Sequence, residues 1–548
     1  MTTTAEQSGA AMSYERGSTD VPLLEDTIDE NFKRAVATWP TNDALVVRHQ
    51  DIRWSYTEFD EQVEVLARAL LARGLEPGDR VGLWAPNRYE WVLVQYATAR
   101  IGVIMVCINP AYRTTELQYA LNQSGCRMLF AAAKYLTSDY VGMWTDVRSD
   151  CPDVEEAVFF DTDEWAALLA RADELTSADV AARSATLSTT DPINIQYTSG
   201  TTGLPKGVTL THRNILNNGY FVGEGCGYTD QDRVCIPVPF YHCFGMVMGN
   251  LGSTTHGATM VVPNDVFDPQ KVLEAIAVEK CTSLYGVPTM FIAELGIETF
   301  GNYDLSSLRT GIMAGSPCPT EVMKKCIADM NMNEVTIAYG MTETSPVSTQ
   351  TGADDTIEKR VSTVGRVHPH VEIRIVNPDT GDVVPRGVSG EFQTKGYSVM
   401  QGYWNDPDKT ADVLSADGWM STGDLAVMDD EGYVDITGRI KDLIIRGGEN
   451  VSPREVEEYL YTHDDIVDVQ VVGVPDEKYG EEVCAFIKSA DGAVIDDAAV
   501  REFCSGKIAH FKVPRYVIAV DEFPMTVTGK IQKYVLREQA NEKLGLEV

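Results

Sequence analysis

The sequence predicts an α/β fold in which parallel sheets are covered by helices, followed by a smaller α+β unit. Three observations predict it. Helix and strand patterns alternate through the first two thirds of the chain. Between residues 371 and 445 the pattern changes to short strands separated by Gly, Asp and Pro turns. The last hundred or so residues carry their own helix and strand patterns, and a unit of that size can form a separate domain.

The first part of the chain shows both periodicities clearly. Apolar residues recur at helical spacing in Phe59, Val63, Leu66 and Leu70, and Gly74 predicts the end of that helix. Further helices are predicted around Trp91 and over 214–220. Short apolar runs predict buried strands at 80–84, 101–108, 126–131 and 234–238.

The C-terminal unit has a marked beginning. Ser452, Pro453 and Glu455 match a capping box with proline at the first helical position. Strands are predicted at 466–474, 483–487 and 515–520, with helices near 496–506 and from Ile531 onward. The predicted division is a disordered tail over residues 1–20, a first domain over 21–440 and a second over 441–548.

Composition excludes several classes of partner. The 548 residues include 45 Lys and Arg against 81 Asp and Glu, a formal charge of −36. Such a field repels nucleic acids and anionic lipid surfaces. Eleven cysteines without a C-x-x-C pair predict reduced thiols, hence a cytoplasmic protein without a zinc site. No segment resembles a signal peptide, and the most apolar run is too short for a membrane span.

The segment from Tyr197 to Gly207 alternates glycines with hydroxyl side chains and ends with one lysine, Lys206. Glycines let backbone N–H groups approach a phosphate, and the lysine adds a positive charge. The segment differs from the Walker A loop because Gly207, rather than Ser or Thr, follows the lysine. It predicts a nucleotide-binding loop that lacks its own Mg²⁺ ligand.

A second segment, from Tyr339 to Thr344, follows a predicted strand over 334–338. A carboxylate beside hydroxyl groups at the end of a strand is a common Mg²⁺–phosphate site in α/β folds. Glu343 is therefore a candidate metal ligand, and Tyr339 could stack on a base. A polar loop with a surface glutamate is the alternative interpretation.

Three more segments carry candidate binding groups. Asp424, in Ser-Thr-Gly-Asp, could accept hydrogen bonds from both hydroxyls of a ribose, although an ordinary turn has the same pattern. Residues 438–450 place basic residues and paired glycines at the predicted domain junction, where a charged loop is the alternative. Lys530, in a glycine-containing loop before the last helix, would by itself be taken for a surface lysine.

In this order, the segments Y-T-S-G-T-T-G-L-P-K-G, Y-G-M-T-E-T, S-T-G-D, G-R-I-K-D and P-x-T-x-T-G-K closely resemble the adenylate-forming superfamily. Within it the chain looks most like bacterial fatty-acyl-CoA synthetases of the medium-chain type. The resemblance covers nearly the whole chain. It implies an N-terminal domain of two parallel-sheet subdomains plus a small distorted β-barrel, and a mobile C-terminal domain.

The resemblance also implies an ATP-dependent ligase with two half-reactions. A carboxylic acid and Mg-ATP give acyl-AMP and pyrophosphate, and coenzyme A then displaces AMP. Lys206 and Lys530 would act on the phosphates, with Thr198 and Glu343 near Mg²⁺ and Lys441, where many members have aspartate, as the hinge. The nucleotide and coenzyme A would contact Thr198, Ser199, Gly200, Thr201, Thr202, Gly203, Lys206, Gly315, Ser316, Pro317, Tyr339, Gly340, Thr342, Asp424, Arg439, Gly447, Gly448 and Lys530.

The implied acyl pocket consists of His242, Gly245, Met246 and Gly340. His242 would border the substrate carboxylate, with a purely structural histidine as the alternative. Gly340 stands where acetate-selective members have tryptophan, so a glycine there would open the pocket floor. Met246 would form part of an apolar, adaptable wall. These features favour a medium- or long-chain fatty acid, and an aryl, terpenoid or steroid-side-chain acid is the alternative.

Two other functions stay open at this stage. The acyl group could pass to the phosphopantetheine of a carrier protein instead of free coenzyme A. The chain could also be a nucleotide-binding protein without catalytic activity, although Lys206, Glu343 and Lys530 argue against that. The oligomeric state, with a homodimer as one option, also stays open.

Overall fold

The computed structural model describes residues 11–198, 205–316, 318–490, 493, 495–526 and 530–546. Three large sheets, a two-stranded sheet of Lys134–Tyr135 and Ser138–Asp139, and the surrounding helices make up the described chain to residue 439. A five-stranded sheet belongs to the C-terminal part. The prediction of an α/β fold with parallel sheets is confirmed. No helix in these ranges is long and apolar enough to cross a membrane.

The first sheet has seven strands and a mainly parallel centre. Two antiparallel strands extend it at one edge, and they bring the glycine-rich segment beside residues 402–403. The strands, in sheet order, are Gly402–Tyr403, Lys206–Thr211, Pro192–Thr198, Ile104–Cys107, Arg80–Trp84, Met128–Ala131 and Glu156–Phe159.

The second sheet has nine strands, of which the central six are parallel. Its parallel strands end at the edge where residues 315–316 and 341–344 follow, so polar loops collect there. The strands, in sheet order, are Arg366–Val367, Val347–Gln350, Glu334–Gly340, Thr310–Ala314, Ser283–Gly286, Arg233–Cys235, Thr259–Val262, Asp43–Val47 and Ile52–Ser55.

The third sheet has five antiparallel strands: Tyr14–Arg16, Val371–Val376, Gly390–Gly396, Met420–Met428 and Val434–Arg439. These strands form the small third subdomain that the resemblance implies beside the two parallel-sheet subdomains.

The expectation of a disordered tail over residues 1–20 is wrong for residues 11–20. Tyr14–Arg16 pairs with Val371–Val376, and the Tyr14 hydroxyl donates to Glu372 at 2.6 Å. The segment is ordered because it completes the hydrogen bonding of an exposed sheet edge. Residues 1–10 lie outside the described residues.

The helices cover both parallel sheets. The first two begin with capping boxes at Thr27 and Ser55, as their sequences require. The α-helices are Ile28–Thr38, Tyr56–Ala72, Tyr89–Ile101, Thr114–Ser124, Tyr140–Val147, Asp163–Ala170, Ser177–Ser184, His212–Gly225, Gly252–Thr254, Pro269–Glu279, Pro288–Gly296, Thr320–Asp329, Ile357–Ser362, Pro407–Val413, Pro453–Leu460, Asp497–Cys504 and Lys533–Leu544. Phe244–Leu251 is a π-helix.

The C-terminal part contains a five-stranded sheet packed against the last three of these helices. Its strands are Glu449–Val451, Ile444–Arg446, Gly480–Ser489, Ile466–Asp476 and Tyr516–Ala519, the last of which pairs in parallel with Gly480–Ser489. Two apolar clusters fill it separately from the cores of the first 440 residues. The predicted boundary after residue 440 falls in the short turn Ile440–Asp442 and stays a prediction.

The predicted capping box at Ser452 is wrong. The helix Pro453–Leu460 begins where it was predicted, but the Ser452 side chain makes no hydrogen bond to its first turn. Its hydroxyl donates instead to the carbonyl oxygen of Thr437, on the other side of the predicted boundary. A tertiary contact has therefore replaced the local one, which sequence periodicity does not reveal.

Candidate active site

The glycine-rich segment connects two antiparallel strands of the first sheet. Thr198 ends one strand and Lys206 begins the next, and the two residues are directly paired. The hairpin thus fixes a hydroxyl group and a lysine opposite each other. The predicted phosphate-binding residues between them lie outside the described residues: Ser199, Gly200, Thr201, Thr202 and Gly203.

The Lys206 ammonium group is held by Tyr403. Lys206 Nζ donates to the Tyr403 hydroxyl at 3.0 Å and lies 4.2 Å from the centre of its ring. The same hydroxyl donates to Oε1 of Glu343 at 2.8 Å. One phenol therefore joins the lysine of the first predicted motif to the carboxylate of the second.

Glu343 lies in the short helical turn Thr342–Thr344 that follows the strand Glu334–Gly340. Thr342 and Glu343 are both buried, at 7% and 4% exposure. A buried carboxylate with a single hydrogen-bonding partner on one oxygen has capacity for a cation. A carboxylate beside hydroxyl groups is therefore present at the end of a parallel strand, and Glu343 is not the surface glutamate of the alternative interpretation.

Gly340, at the end of the same strand, is exposed but closely approached by backbone. A Cβ atom there would lie 1.7 Å from the carbonyl oxygen of Pro346. The expectation that this glycine opens the pocket floor is wrong in this backbone, because the space of the missing side chain is already occupied. The glycine is required where the chain turns back after the 342–344 turn.

The Asp424 carboxylate contacts both Tyr339 and Arg439. The Tyr339 hydroxyl donates to Asp424 Oδ2 at 2.7 Å, and Arg439 Nε lies 2.8 Å from Oδ1. Oδ1 nevertheless has no partner in hydrogen-bonding geometry among the described residues. The arginine thus neutralises the carboxylate and leaves an acceptor for another hydroxyl group. Burial raises the pKa of the Tyr339 phenol well above its ordinary value, so it stays a donor.

The Tyr339 ring packs edge-on against Phe392, with centroids 5.1 Å apart. Its hydroxyl and one edge are thus already engaged. Gly315, at the end of the strand Thr310–Ala314, has a φ of +90°, which favours glycine, and Ser316 follows. Pro317 lies outside the described residues. An adenine contact by Tyr339, Gly315, Ser316 or Pro317 stays a prediction.

Lys530 reaches this region from the C-terminal part. Its Cε atom would lie 3.8 Å from a Cβ atom on Gly315. Its loop is closed by two hydrogen bonds between Thr526 and Lys530, one from each backbone N–H. The lysine that sequence alone would place at the surface is therefore brought to the ends of the second sheet's strands.

The surroundings of Lys530 combine both signs of charge. Burial, followed by the positive charge of Arg439, lowers the pKa of the Lys530 ammonium from its ordinary value. The carboxylates of Asp424 and Glu343 act in the opposite direction. Lys530 thus lies within electrostatic range of the predicted ribose and metal groups.

His242 precedes the π-helix Phe244–Leu251, and its carbonyl oxygen accepts from the N–H groups of Gly245 and Met246. Its Nδ1 accepts from the N–H of Phe244 at 3.2 Å. Burial lowers the pKa of His242 to about 3, and the positive charge of Lys530 acts in the same direction. The imidazole is consequently neutral with its proton on Nε2, where it can donate to an acceptor.

All eight residues of the π-helix are buried. A Cβ atom on Gly245 would lie 2.5 Å from the carbonyl oxygen of Pro239, so the helix needs glycine there. The Met246 sulfur accepts from Gln196 Nε2 at 2.9 Å. π-helical turns are frequent at functional sites. An acyl-pocket role for Gly245 and Met246 stays a prediction.

Three predicted residues lie at the surface of the structure. Lys441 is exposed in the turn Ile440–Asp442. Gly447 and Gly448 form the exposed two-residue turn between the strands Ile444–Arg446 and Glu449–Val451, both with positive φ. A hairpin turn explains this glycine pair locally. The hinge and pantetheine roles stay predictions.

Tyr403 was missed by the sequence analysis. It follows Gly402 in a short strand that pairs with Lys206–Thr211, about two hundred positions from its lysine partner. The local pattern around it gives no sign of a buried bridge. The only local signal is a tyrosine directly after a glycine, Gly402.

Comparison with known proteins gives the family. The model of the AMP-binding enzyme family matches residues 32–404, and that of the AMP-binding enzyme C-terminal domain matches residues 455–530. The chain belongs to the AMP-binding, adenylate-forming family of acyl-CoA synthetases. Gly315 lies in the first matched range and Lys530 in the second.

Relatives of this acyl-CoA synthetase are similar over nearly their whole length. It is 48% identical to "Putative acyl-CoA synthetase YngI" of Bacillus subtilis (strain 168), over 96% of this chain and 99% of that protein. It is 44% identical to a mitochondrial medium-chain acyl-CoA ligase of Danio rerio, over 97% of this chain and 91% of that protein.

Solved structures share the fold of the synthetase. The anthranilate CoA ligase AuaEII in complex with anthranoyl-AMP superposes with a TM-score of 0.85 at 25% identity, covering 96% of this chain and 99% of that chain. ATP-bound MatB from Rhodopseudomonas palustris gives 0.80 at 30% identity, covering 94% and 99%. The predictions of an adenylate-forming fold and of an acid–thiol ligase are confirmed.

Proposed function

We propose that this acyl-CoA synthetase activates a medium- or long-chain fatty acid with Mg-ATP and transfers the acyl group to coenzyme A. The site assignment rests on the position of Lys530 beside Gly315. There the lysine lies within electrostatic range of Asp424, Glu343 and His242. A single mobile cation at that point can serve a displacement in which charge moves from a carboxylate to a leaving pyrophosphate.

In the first half-reaction the substrate carboxylate attacks the α-phosphorus of ATP, and the bond to the bridging oxygen of pyrophosphate breaks. Lys530 would neutralise charge on the carboxylate and the α-phosphate. Lys206 and Thr198 would hold the departing phosphates, and Thr342 would contact the α-phosphate. His242 would donate from Nε2 to the carboxylate or to the developing acyl phosphate oxygen.

The residues present fit a Mg²⁺ ion. Glu343 offers a buried oxygen ligand, the type that Mg²⁺ prefers. No group of three or more His, Cys, Asp or Glu side chains that could hold a metal occurs in the described ranges. The remaining ligands would therefore be phosphate oxygens and water, as is usual for Mg-ATP. When bound, the ion would neutralise phosphate charge; Glu343, with Thr198 nearby, would hold it.

The ribose would lie on Asp424. Its Oδ1 atom accepts no hydrogen bond from the described residues, while Arg439 offsets its charge. Both features suit an acceptor for a ribose hydroxyl. Arg439 would then help to hold the nucleotide through Asp424.

The second half-reaction requires the thiol of coenzyme A to reach the acyl carbonyl carbon and displace AMP. We propose that the C-terminal domain rotates about Lys441, withdraws Lys530 and brings Gly447 and Gly448 to the pantetheine path. Their exposure at a hairpin tip in the present arrangement is consistent with a surface that becomes buried in the other.

The acyl assignment is supported by the buried π-helix and by the named activity of the relatives, of which several are medium-chain acyl-CoA ligases. Because Gly340 does not open the pocket floor, the residues assigned to the acyl pocket are His242, Gly245 and Met246. The decisive experiment is AMP release over acids of graded length and shape, with and without coenzyme A. Coenzyme-A-dependent release that peaks at medium or long chains is expected, and a peak with aryl or terpenoid acids would contradict the substrate.

Transfer to a carrier protein is the alternative acceptor. If a carrier protein became acylated in the presence of ATP, and AMP release did not depend on coenzyme A, the acceptor would be the carrier protein and not coenzyme A. The eleven free, buried cysteines support a cytoplasmic location. A homodimer can be tested by light scattering.

A further inference from the structure

Tyr403 occupies a position that the proposed reaction does not yet use. It is buried at 5% exposure and lies between the only lysine of the glycine-rich hairpin and the proposed metal ligand. We propose that Tyr403 is a positioning residue for adenylation, which orients the Glu343 carboxylate for Mg²⁺ and prevents Lys206 from pairing with it. The inference rests on the proposed roles of Lys206 and Glu343.

The first argument is the hydrogen bonding of Glu343. The Tyr403 hydroxyl occupies Oε1 at 2.8 Å. Within the described residues Oε2 receives no hydrogen bond, so it is the oxygen left for a cation. A carboxylate fixed through one oxygen loses rotational freedom before the ion binds, and such support of a ligand raises metal affinity.

The second argument concerns charge. A chain with a net charge of −36 offers any lysine many carboxylate partners, and the hydroxyl that accepts from Lys206 also donates to the Glu343 carboxylate. A direct pair would neutralise both groups and would have to be broken by the ion and the phosphates. Lys206 makes no ion pair with any described residue, because the phenol accepts from it and the ring lies under it at 4.2 Å.

The third argument is that the backbone around Tyr403 is attached to both motifs. The N–H of Met400 donates to the carbonyl of Glu343 at 2.9 Å, and the N–H of Trp404 donates to the carbonyl of Gly207 at 2.7 Å. The N–H of Tyr403 itself donates to Thr410 Oγ1 at 2.9 Å. The phenol is thus held at a fixed distance from the lysine strand and from the glutamate turn, which is what a positioning residue needs.

Tyr403→Phe removes one oxygen and keeps the ring beneath Lys206. We expect fatty-acid-dependent ATP–pyrophosphate exchange to fall roughly ten- to a hundredfold, the range for one hydrogen bond to a charged group, with a higher Mg²⁺ requirement. Conversion of supplied acyl-AMP to acyl-CoA needs neither Lys206 nor the metal and should stay within about twofold of the unchanged protein. That step also reports that the variant is folded.

A second readout does not depend on turnover. The midpoint of thermal unfolding is measured with ATP in EDTA and with ATP and Mg²⁺. The Mg²⁺-dependent rise expected from binding to the folded state should shrink in Tyr403→Phe, while the midpoint without ligand changes little. In a Glu343→Gln background the same substitution should add no further loss, since it acts through that carboxylate.

Tyr433→Phe is the matched control. The Tyr433 hydroxyl donates to Asp355 at 2.5 Å and Lys359 Nζ lies 4.5 Å from its ring, so it has the same chemistry outside the site. It should leave exchange and the Mg²⁺ response unchanged. If Tyr403→Phe does not fold, Glu343→Gln tests the bridge from its other end: the Mg²⁺-dependent rise should shrink, and an unchanged rise would overturn the inference, which acts through that carboxylate.

Two results would overturn the role of Tyr403: unchanged exchange and Mg²⁺ response in Tyr403→Phe, or equal loss of both half-reactions. Failure of the proposed function has a different signature. In that case the unchanged protein would show no acid-dependent exchange with any fatty acid.

Discussion

The Cε atom of Lys530 lies 3.8 Å from the place that a Cβ atom on Gly315 would occupy. This contact joins the last hundred residues to the strand ends of the nine-stranded sheet. With the role proposed for Lys530, this is the arrangement of the two parts that we expect for the first half-reaction.

Lys530→Ala should nearly abolish adenylation and spare thioester formation from supplied acyl-AMP. The ammonium group would act only while charge develops on the α-phosphate, and removal of such a group costs about 10²- to 10³-fold. ATP–pyrophosphate exchange and acyl-CoA formation are measured separately. Lys543→Ala, an exposed lysine of the last helix, is the control, and equal loss of both steps in Lys530→Ala would contradict the domain movement.

Arg454→Ala should slow the first half-reaction several-fold and leave the second unchanged or faster. Arg454 donates to the carbonyl of Ile436 and pairs with Asp435 at 2.9 Å, across the predicted boundary. Its loss destabilises this arrangement of the parts, by about 1 kcal/mol for the partly exposed ion pair. The exposed Arg501→Ala is the matched control. A slower second step in Arg454→Ala would show that the contact is not specific to this arrangement.

Gly340→Ala should destabilise the fold by about 1–3 kcal/mol, the usual cost of overpacking. The added methyl group would meet the Pro346 carbonyl oxygen, whereas a Cβ atom on Gly296 meets nothing within 4 Å. Urea unfolding of Gly340→Ala and Gly296→Ala gives the comparison. A stable Gly340→Ala with a shortened chain-length preference would instead restore the pocket-floor interpretation.

Asp424→Asn should raise the KM for ATP about tenfold or more with a smaller effect on the acid, since it loses a charged acceptor for the ribose. Tyr339 and Arg439 would keep the side chain in place. Initial rates at varied ATP and varied fatty acid separate the two constants. A change confined to the acid would place the ribose elsewhere.

Acid should destabilise the protein through its buried histidines. Burial lowers the pKa of His368 to about 3 and that of His212 to about 4. The unfolded chain binds these protons below about pH 6.5 and the folded chain does not, so stability is complete above that pH and declines as the pH falls. Each histidine contributes about 1.4 kcal/mol per pH unit to the decline.

His368→Gln should therefore flatten the fall of the unfolding free energy between about pH 6 and 4. His368 contacts Gln350 at 2.9 Å and is 4% exposed, whereas His510 is exposed and serves as the control. Urea unfolding at several pH values measures the slope. An equal slope in His368→Gln and the unchanged protein would show that His368 is protonated in the folded state.

Much of the fold could be predicted because the buried face of a helix or strand requires apolar residues at a regular spacing in the sequence. The strand Arg80–Trp84 and the helix Tyr56–Ala72 lie where their apolar patterns place them. The predicted strand over 101–108 was too long: Ile101 ends a helix, Gly102 has a φ of +77°, and the strand is Ile104–Cys107. A continuous apolar run does not distinguish a buried helix end from a strand.

For the site, ordered motifs named the residues but not their contacts. The sequence paired neither Lys206 with Tyr403 nor Ser452 with Thr437, because both contacts join segments with no local relationship. The sequence analysis also assigned Gly340 to the pocket floor, because acetate-selective members of the family have tryptophan at that position. The backbone of Pro346 decided that role, since close approach between distant segments is a property of the folded chain.

By itself the sequence determined the family, the alternation of helices and strands, and the set of polar groups available for an adenylation reaction. These features depend on the chemistry of individual residues and on the spacing of apolar residues, both of which are present in the sequence before the chain folds. The tertiary structure alone decided that Lys530 meets Gly315, that one phenol separates Lys206 from Glu343, and that His242 is neutral. Those outcomes depend on distance, burial and charge, which arise only when remote segments pack together.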